Sequence, residues 1–179
     1  ETGAVTTFAD GLPKESPAVG IGGVMDVDFV GHTAYALVTL VGPDVGGSNI
    51  DGIYRVDGPH SFTVVADIGS WAIAHPPSTD FFVPSGLQYA MQRYRDGWLV
   101  TDGHHNRVLR AGDDGSVSEF RTFGDIVPTG LALRGSRVYM AEAGPIPHLP
   151  ANGKIVSFGA SSPVTEVAAG GPLMVDVEF

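Results

Sequence analysis

The chain has no cysteine, few basic residues and no long apolar run. Without cysteine it has neither a disulfide framework nor a thiolate metal site. Ten Lys and Arg against 20 Asp and Glu give a net charge of −10, which argues against nucleic acid or an anionic membrane as a partner. No apolar segment approaches the roughly 20 residues that a membrane span needs.

Glycine and proline, by contrast, are abundant, with 25 and 13 of the 179 residues. The hydrophobic content of 43% is too high for a disordered chain. Many short strands joined by turns suit such a composition better than helices do. Composition therefore predicts an all-β protein, and it does not indicate a function.

An internal repeat organises the chain. The segments VPSGL and VPTGL place Pro84 and Pro128 44 residues apart, and Pro172 lies another 44 residues on. Between these prolines four apolar segments recur, bounded by Gly or Asp-Gly, as in GLQYAM, GWLVTDG, NRVLRAGDDG and SVSEFRTFG. A four-stranded repeat of this length is typical of a β-propeller blade. The segment LQYAMQRYR at 87–95 suggests a short helix when taken alone, but its place in the repeat predicts a strand.

The repeat predicts blades at 24–69, 84–124 and 128–170, a preceding fourth strand at 4–12 and a following first strand at 172–179. That is about three and a half blades, or roughly 14 strands where a six-bladed ring has roughly 24. Three explanations stay open: a piece of a longer protein, a ring completed by another chain, or two copies closing it by symmetry. Residues 1–3, Glu-Thr-Gly, look like the remnant of a secretory expression vector.

The segment GWLVTDGHHNRVLRAGDDGSV is similar to the second-to-third-strand segment of NHL-type propellers. The segments DVDFVG, GIYRVDG, PSGLQY, VPTGLAL and VYMAEAGPIP resemble those of the ScyD/ScyE family of six-bladed propellers. The resemblance extends over nearly all of residues 4–179. It implies a propeller fold and a secreted or periplasmic location, and little about mechanism, because the family's activity is poorly defined.

In a propeller the 2→3 and 4→1 loops lie on one face, and the long loops of this chain all map there, at 13–23, 41–50, 69–84 and 143–153. Insertions on one face are typical of a binding surface. The side chains predicted to lie on this ligand-binding face are Asp44, His75, Asp80, Asp102, His104, His105, Asn106, Glu142 and His148.

Two sets of side chains have the chemistry of a cation site. Asp102, His104 and His105 form the first set. Adjacent histidines point to opposite sides of an extended chain, which argues against a shared ion. Asp102 and Asn106 also bracket a turn, where short polar side chains form hydrogen bonds with the backbone. The turn interpretation is preferred. The second set lies on first strands, where carboxylates hold a Ca²⁺ or Zn²⁺, act as a base or bond the neighbouring blade. These residues are Asp26, Asp28, Asp176 and Glu178.

The sequence thus predicts a non-catalytic, extracytoplasmic β-propeller that binds a small molecule or a protein on its loop-rich face, with no resident cofactor. One alternative is a metal-dependent hydrolase of the gluconolactonase-like class. Those propellers carry a ligating Asn at the start of a blade, where this chain has Gly86 and Gly130. The other alternative is a structural subunit that completes a propeller with further copies or a partner chain.

Overall fold

The computed structural model describes residues 3–171 and 173–179. In these residues twelve strands form three four-stranded antiparallel sheets, and the strands follow chain order across each sheet. Sheet 1 contains β1 (Gly23–Val30), β2 (Thr33–Thr39), β3 (Gly52–Gly58) and β4 (Ser61–Asp67). Sheet 2 contains β5 (Gln88–Arg93), β6 (Gly97–Asp102), β7 (Arg107–Gly112) and β8 (Val117–Thr122). Sheet 3 contains β9 (Pro128–Arg134), β10 (Arg137–Glu142), β11 (Gly153–Phe158) and β12 (Thr165–Gly171).

The mostly-β class predicted from the sequence is confirmed, and each of the three predicted four-stranded segments contains one sheet. The segment at 87–95 forms β5 and not a helix. A hairpin turn at Asp113-Asp114-Gly115 joins β7 to β8, where Gly115 takes a φ of 84°. Glycine adopts this left-handed conformation at little cost, which explains why a tight turn forms there.

The structure differs from the sequence prediction in two ways. A helix, α1 (Ile68–Ala74), occupies the first part of the loop predicted at 69–84, and the Asp67 side chain caps it by accepting a hydrogen bond from Ser70 N at 2.9 Å. The strands predicted at 4–12 and 172–179 are not observed: the described parts of both segments lie against the sheets, as Phe8 does against Phe29 and Met174 against Thr129, without forming a strand. Glu1, Thr2 and the repeat marker Pro172 lie outside the described residues. No helix in the described residues is long and apolar enough to cross a bilayer.

The first strands of the three sheets, β1, β5 and β9, lie side by side. The sheets are joined by hydrogen bonds that recur from one sheet to the next. Thr39 Oγ1 at the end of β2 donates to Gln88 Oε1 of β5 at 2.7 Å, and Thr101 Oγ1 of β6 donates to the Thr129 carbonyl of β9 at 2.7 Å. In both cases a threonine near the end of a second strand bonds the first strand of the next sheet.

Apolar side chains fill the two gaps between the sheets. Leu37 and Ile53 of sheet 1 pack on Trp98 and Leu109 of sheet 2, and a second cluster joins sheet 2 to sheet 3 around Phe158. Sheet 2 is consequently covered on both faces, which explains why all six residues of β6 are buried. This packing fixes the loops at one end of the sheets relative to one another.

Candidate functional site

The long loops predicted on one face come together at one end of the three sheets, called here the loop-rich end. Asp44 Oδ2 accepts a hydrogen bond from Ser85 N at 2.9 Å, which joins loop 41–51 to the segment before β5. Gly103 N donates to the Leu87 carbonyl at 2.9 Å, and Ala143 N donates to the Val127 carbonyl at 3.0 Å. The 13–23 loop joins them through Ser16 Oγ, which donates to the Val45 carbonyl at 2.6 Å.

Beneath this end lies a buried ion pair. Arg107 Nε donates to Asp102 Oδ2 at 2.8 Å, and both side chains are almost completely shielded from solvent. Asp102 Oδ1 accepts from Gln88 Nε2 at 3.2 Å and from Leu87 N at 3.3 Å. Buried charges are tolerated only when they are paired and hydrogen-bonded, and this carboxylate is both. Asp102 and Arg107 therefore have a structural role in fixing the start of β5.

His105 belongs to the same buried cluster. Its Nε2 donates to the Val83 carbonyl at 2.9 Å, since a carbonyl only accepts, and its Nδ1 lies 3.0 Å from both Asp102 Oδ2 and Arg107 Nη2. Both ring nitrogens are thus engaged with the protein, while His104 lies on the other side of the chain against Phe82. The structure does not bring Asp102, His104 and His105 together as ligands of one ion.

Asn106 ties two further segments to this end. Its Oδ1 accepts hydrogen bonds from Ile126 N and Val127 N, both at 2.9 Å, and its Nδ2 donates to Thr79 Oγ1 at 3.1 Å. Its φ of 56° is left-handed, a conformation that Asn tolerates better than most residues. Asn106 bonds one backbone group of its own turn, the His104 carbonyl at 3.5 Å, as the turn interpretation holds, but its shorter bonds reach the distant segment 126–127.

Above the buried cluster lie three exposed apolar side chains and two half-buried imidazole rings, called here the aromatic–imidazole patch: Phe82, His104, Ile146, His148 and Leu149. The His104 ring lies 4.7 Å from the Phe82 ring and 5.9 Å from the His148 ring, centroid to centroid. His148 Nδ1 donates to the Gly144 carbonyl at 2.8 Å. Partial burial, and then the nearby His148, lower the pKa of His104, so its ring is neutral at pH 7.

The other predicted face residues have diverse surroundings. His75 ends α1, donates from Nδ1 to the Trp71 carbonyl at 2.8 Å and stacks on the Trp71 ring. Asp80 is exposed. Glu142 is buried at the end of β10, and burial raises the pKa of its carboxyl to about 7, with Glu166 adding to the rise and Lys154 opposing it. Lys154 Nζ is itself bonded to Glu166 Oε2 at 2.8 Å.

The four first-strand carboxylates line one cleft of about 450 Å³, called here the first-strand cleft, together with β5 residues such as Tyr89. Asp26 Oδ2 accepts a hydrogen bond from Met91 N of sheet 2 at 2.8 Å, so it bonds the neighbouring sheet. Burial raises the pKa of Asp26, and Asp176 and Asp28 raise it further, against two backbone hydrogen bonds that lower it. In the described residues no group of three or more His, Asp or Glu has the geometry to hold a metal ion.

Three positions at the loop-rich end were missed by sequence reasoning: Arg107, the buried Asp51 and the exposed Phe82. Arg107 follows Asn106 in the turn and carried a signal, because Asp102 and Arg107 are register partners across β6 and β7. Asp51 and Phe82 lie in irregular loops where spacing carries no information. No family model, curated protein or solved structure matches this chain, so the roles of these residues are inferred from their own geometry and chemistry.

Proposed function

We propose that this chain is part of a β-propeller whose loop-rich end binds a small aromatic molecule without catalysing a reaction. Three four-stranded sheets joined in the same way, with β1, β5 and β9 side by side, support the propeller arrangement. The extracytoplasmic location remains part of the proposal, and it is supported by the resemblance of the sequence alone.

The aromatic–imidazole patch is the observation that carries the proposed binding function. The Phe82 side chain is 64% exposed, and Ile146 and Leu149, which lie near His148 in the chain, are exposed as well. Exposed large apolar side chains grouped with two imidazole rings on an acidic protein are typical of a binding site. The flat faces of Phe82 and the neutral His104 suit stacking on an aromatic ring, with aliphatic side chains at the border.

The residues of the patch are also held in place by the structure beneath them, which favours a role in ligand binding. His104 lies between Gly103, bonded to the Leu87 carbonyl, and His105, which is locked to Asp102 and Val83. Phe81, which precedes Phe82, packs edge-on against the His105 ring, with the two ring centroids 5.0 Å apart. A surface that is already ordered loses little conformational entropy when a ligand binds.

Phe82→Ala is expected to weaken the binding of aromatic fragments about tenfold, because it removes one stacking face and its buried area. The measurement is a titration with indole- and phenol-type fragments, followed through the imidazole proton resonances of His104 and His148. Phe8→Ala is the matched control, since Phe8 is 62% exposed but packs against Phe29 of β1, away from the patch.

Fragments that leave the His104 and His148 resonances unchanged would contradict a small-molecule site at the patch. So would a Phe82→Ala variant that loses no more affinity than Phe8→Ala. Binding of peptides but not of fragments to the same residues would favour a protein ligand instead.

A further inference from the structure

A second pocket lies beside the loop-rich end, between loop 41–51, α1 and the segment that precedes β5. It has a volume of about 240 Å³ and is called here the Asp51 pocket. Its lining includes three carboxylates and no basic side chain. The residues that matter for its chemistry are Gly42, Asp44, Asp51, Asp67, Gly69 and Ser85.

Two buried polar atoms in this pocket have no partner. Asp51 is 2% exposed, and its Oδ1 accepts a hydrogen bond from Val41 N at 2.8 Å, but its Oδ2 makes none. Ser85 is 1% exposed, and its Oγ lies near the Asp51 carboxylate but makes no hydrogen bond of ordinary geometry either. Leaving a buried polar group unpaired costs about 1–3 kcal/mol, so such groups are rare unless a ligand or solvent molecule satisfies them.

The second carboxylate, Asp44, faces the same space. Its Oδ2 accepts from Ser85 N at 2.9 Å. A Cβ added to Gly42 would lie 2.9 Å from Asp51 Oδ2 and 3.0 Å from Asp44 Oδ1, so the two oxygens approach a common point. Gly42 has a φ of −78°, which any residue adopts, so glycine is needed here for space and not for conformation.

The local charge is negative and uncompensated. The carboxylates of Asp44, Asp51 and Asp67 line the same pocket and repel one another there. Among the ion pairs of the described residues, none includes Asp44, Asp51 or Asp67. A cation placed between the carboxylates would remove the repulsion and satisfy the unpaired oxygens.

We propose that the Asp51 pocket binds a Ca²⁺ ion through the carboxylates of Asp44 and Asp51 and the hydroxyl of Ser85. All three ligands are oxygens, which a hard cation prefers over the nitrogen and sulfur ligands of zinc sites. Ca²⁺ accepts irregular sets of six to eight oxygens and completes them with water and carbonyl groups, whereas Mg²⁺ requires a regular octahedron. The bound ion links the 41–51 loop of sheet 1 to the start of sheet 2.

Isothermal titration calorimetry of the EDTA-treated chain with CaCl₂ tests this site. We expect one Ca²⁺ per chain, with a dissociation constant on the order of 10⁻⁴–10⁻³ M, a few degrees of thermal stabilisation at saturating Ca²⁺, and weaker binding of Mg²⁺. Asp51→Asn, which keeps Oδ1 for Val41 N, should weaken Ca²⁺ binding at least tenfold, and Ser85→Ala about threefold. Asp57→Asn is the control, since Asp57 pairs with Arg55 on the surface of the same sheet.

The absence of Ca²⁺ binding by the parent chain up to 10 mM would overturn the proposal. Unchanged Ca²⁺ affinity in both Asp51→Asn and Ser85→Ala would also overturn it. Loss of Ca²⁺ binding in Asp26→Asn alone would overturn it too, because that result would assign the ion to the first-strand cleft. The site is independent of the aromatic–imidazole patch: Phe82→Ala should bind Ca²⁺ as the parent chain does, so the two proposals fail separately.

Discussion

Replacing Arg107 with methionine is expected to lower the free energy of unfolding by about 3–5 kcal/mol. The substitution preserves much of the side-chain length but removes the guanidinium that pairs with Asp102 at 2.8 Å. The carboxylate of Asp102 would then remain buried with only neutral donors and His105 around it. A buried charge without its partner costs far more than the pair itself contributes, because the desolvation of the charge is no longer offset.

Arg110→Met is the matched control for this prediction. Arg110 lies on the same strand, β7, and pairs with Asp96, but both side chains are substantially exposed to solvent. Exposed pairs contribute about 0–1 kcal/mol, so this variant should unfold almost like the parent in urea. If Arg107→Met proved no more destabilising than Arg110→Met, the ion pair would have no special structural role.

The loss of Arg107 should also have a local effect on the loop-rich end. Arg107 Nη1 donates to the His75 carbonyl at 2.7 Å, and its guanidinium lies 5.0 Å from the centre of the Trp71 ring. Without these contacts the segment at 75–83 would be cleaved faster by a protease under native conditions. The same variant should then bind aromatic fragments more weakly, because Phe82 lies at the end of that segment.

The three sheets were predictable because their signals are local and repeated. Alternating apolar residues indicate each strand, and turn residues such as Gly115 indicate where it ends. Because the same pattern returns after 44 residues, each four-stranded segment supports the prediction for the next one. The pairing of Asp102 with Arg107 follows from the same register, since the two residues face each other across a hairpin. What the repeat did not predict is that both side chains are buried.

The helix α1 and the Asp51 pocket were not predictable in the same way. A helix of two turns is too short to show a period, and its only local signal is the capping Asp67. The buried environment of Asp51 is formed by Gly42, Gly69 and Ser85. These residues come from three separate segments that meet only in the folded chain. Burial of an isolated loop carboxylate is decided by tertiary packing, which spacing in the sequence does not report.

Glu142→Gln is expected to stabilise the chain by about 2 kcal/mol at pH 8 and to have little effect at pH 4. The pKa of Glu142 is about 7 in the folded chain against 4.5 for an ordinary Glu. Between these values the folded chain binds more protons than the unfolded chain, so the free energy of unfolding falls as pH rises and stays low above pH 7. The shift corresponds to about 3 kcal/mol, reduced here because the carboxyl is partly screened by solvent.

Urea unfolding of the parent and of Glu142→Gln across pH 4–8 measures this difference directly. Glu166→Gln is the control: Glu166 lies in the same charge cluster but is exposed and bonded to Lys154, so its removal should change stability little at any pH. A parent chain whose stability does not fall between pH 5 and pH 8 would show that Glu142 is ionised without penalty. If the neutral variant is the more stable at pH 8, the chain keeps a carboxyl at the loop-rich end at a net cost in folding, which is typical of a residue retained for function.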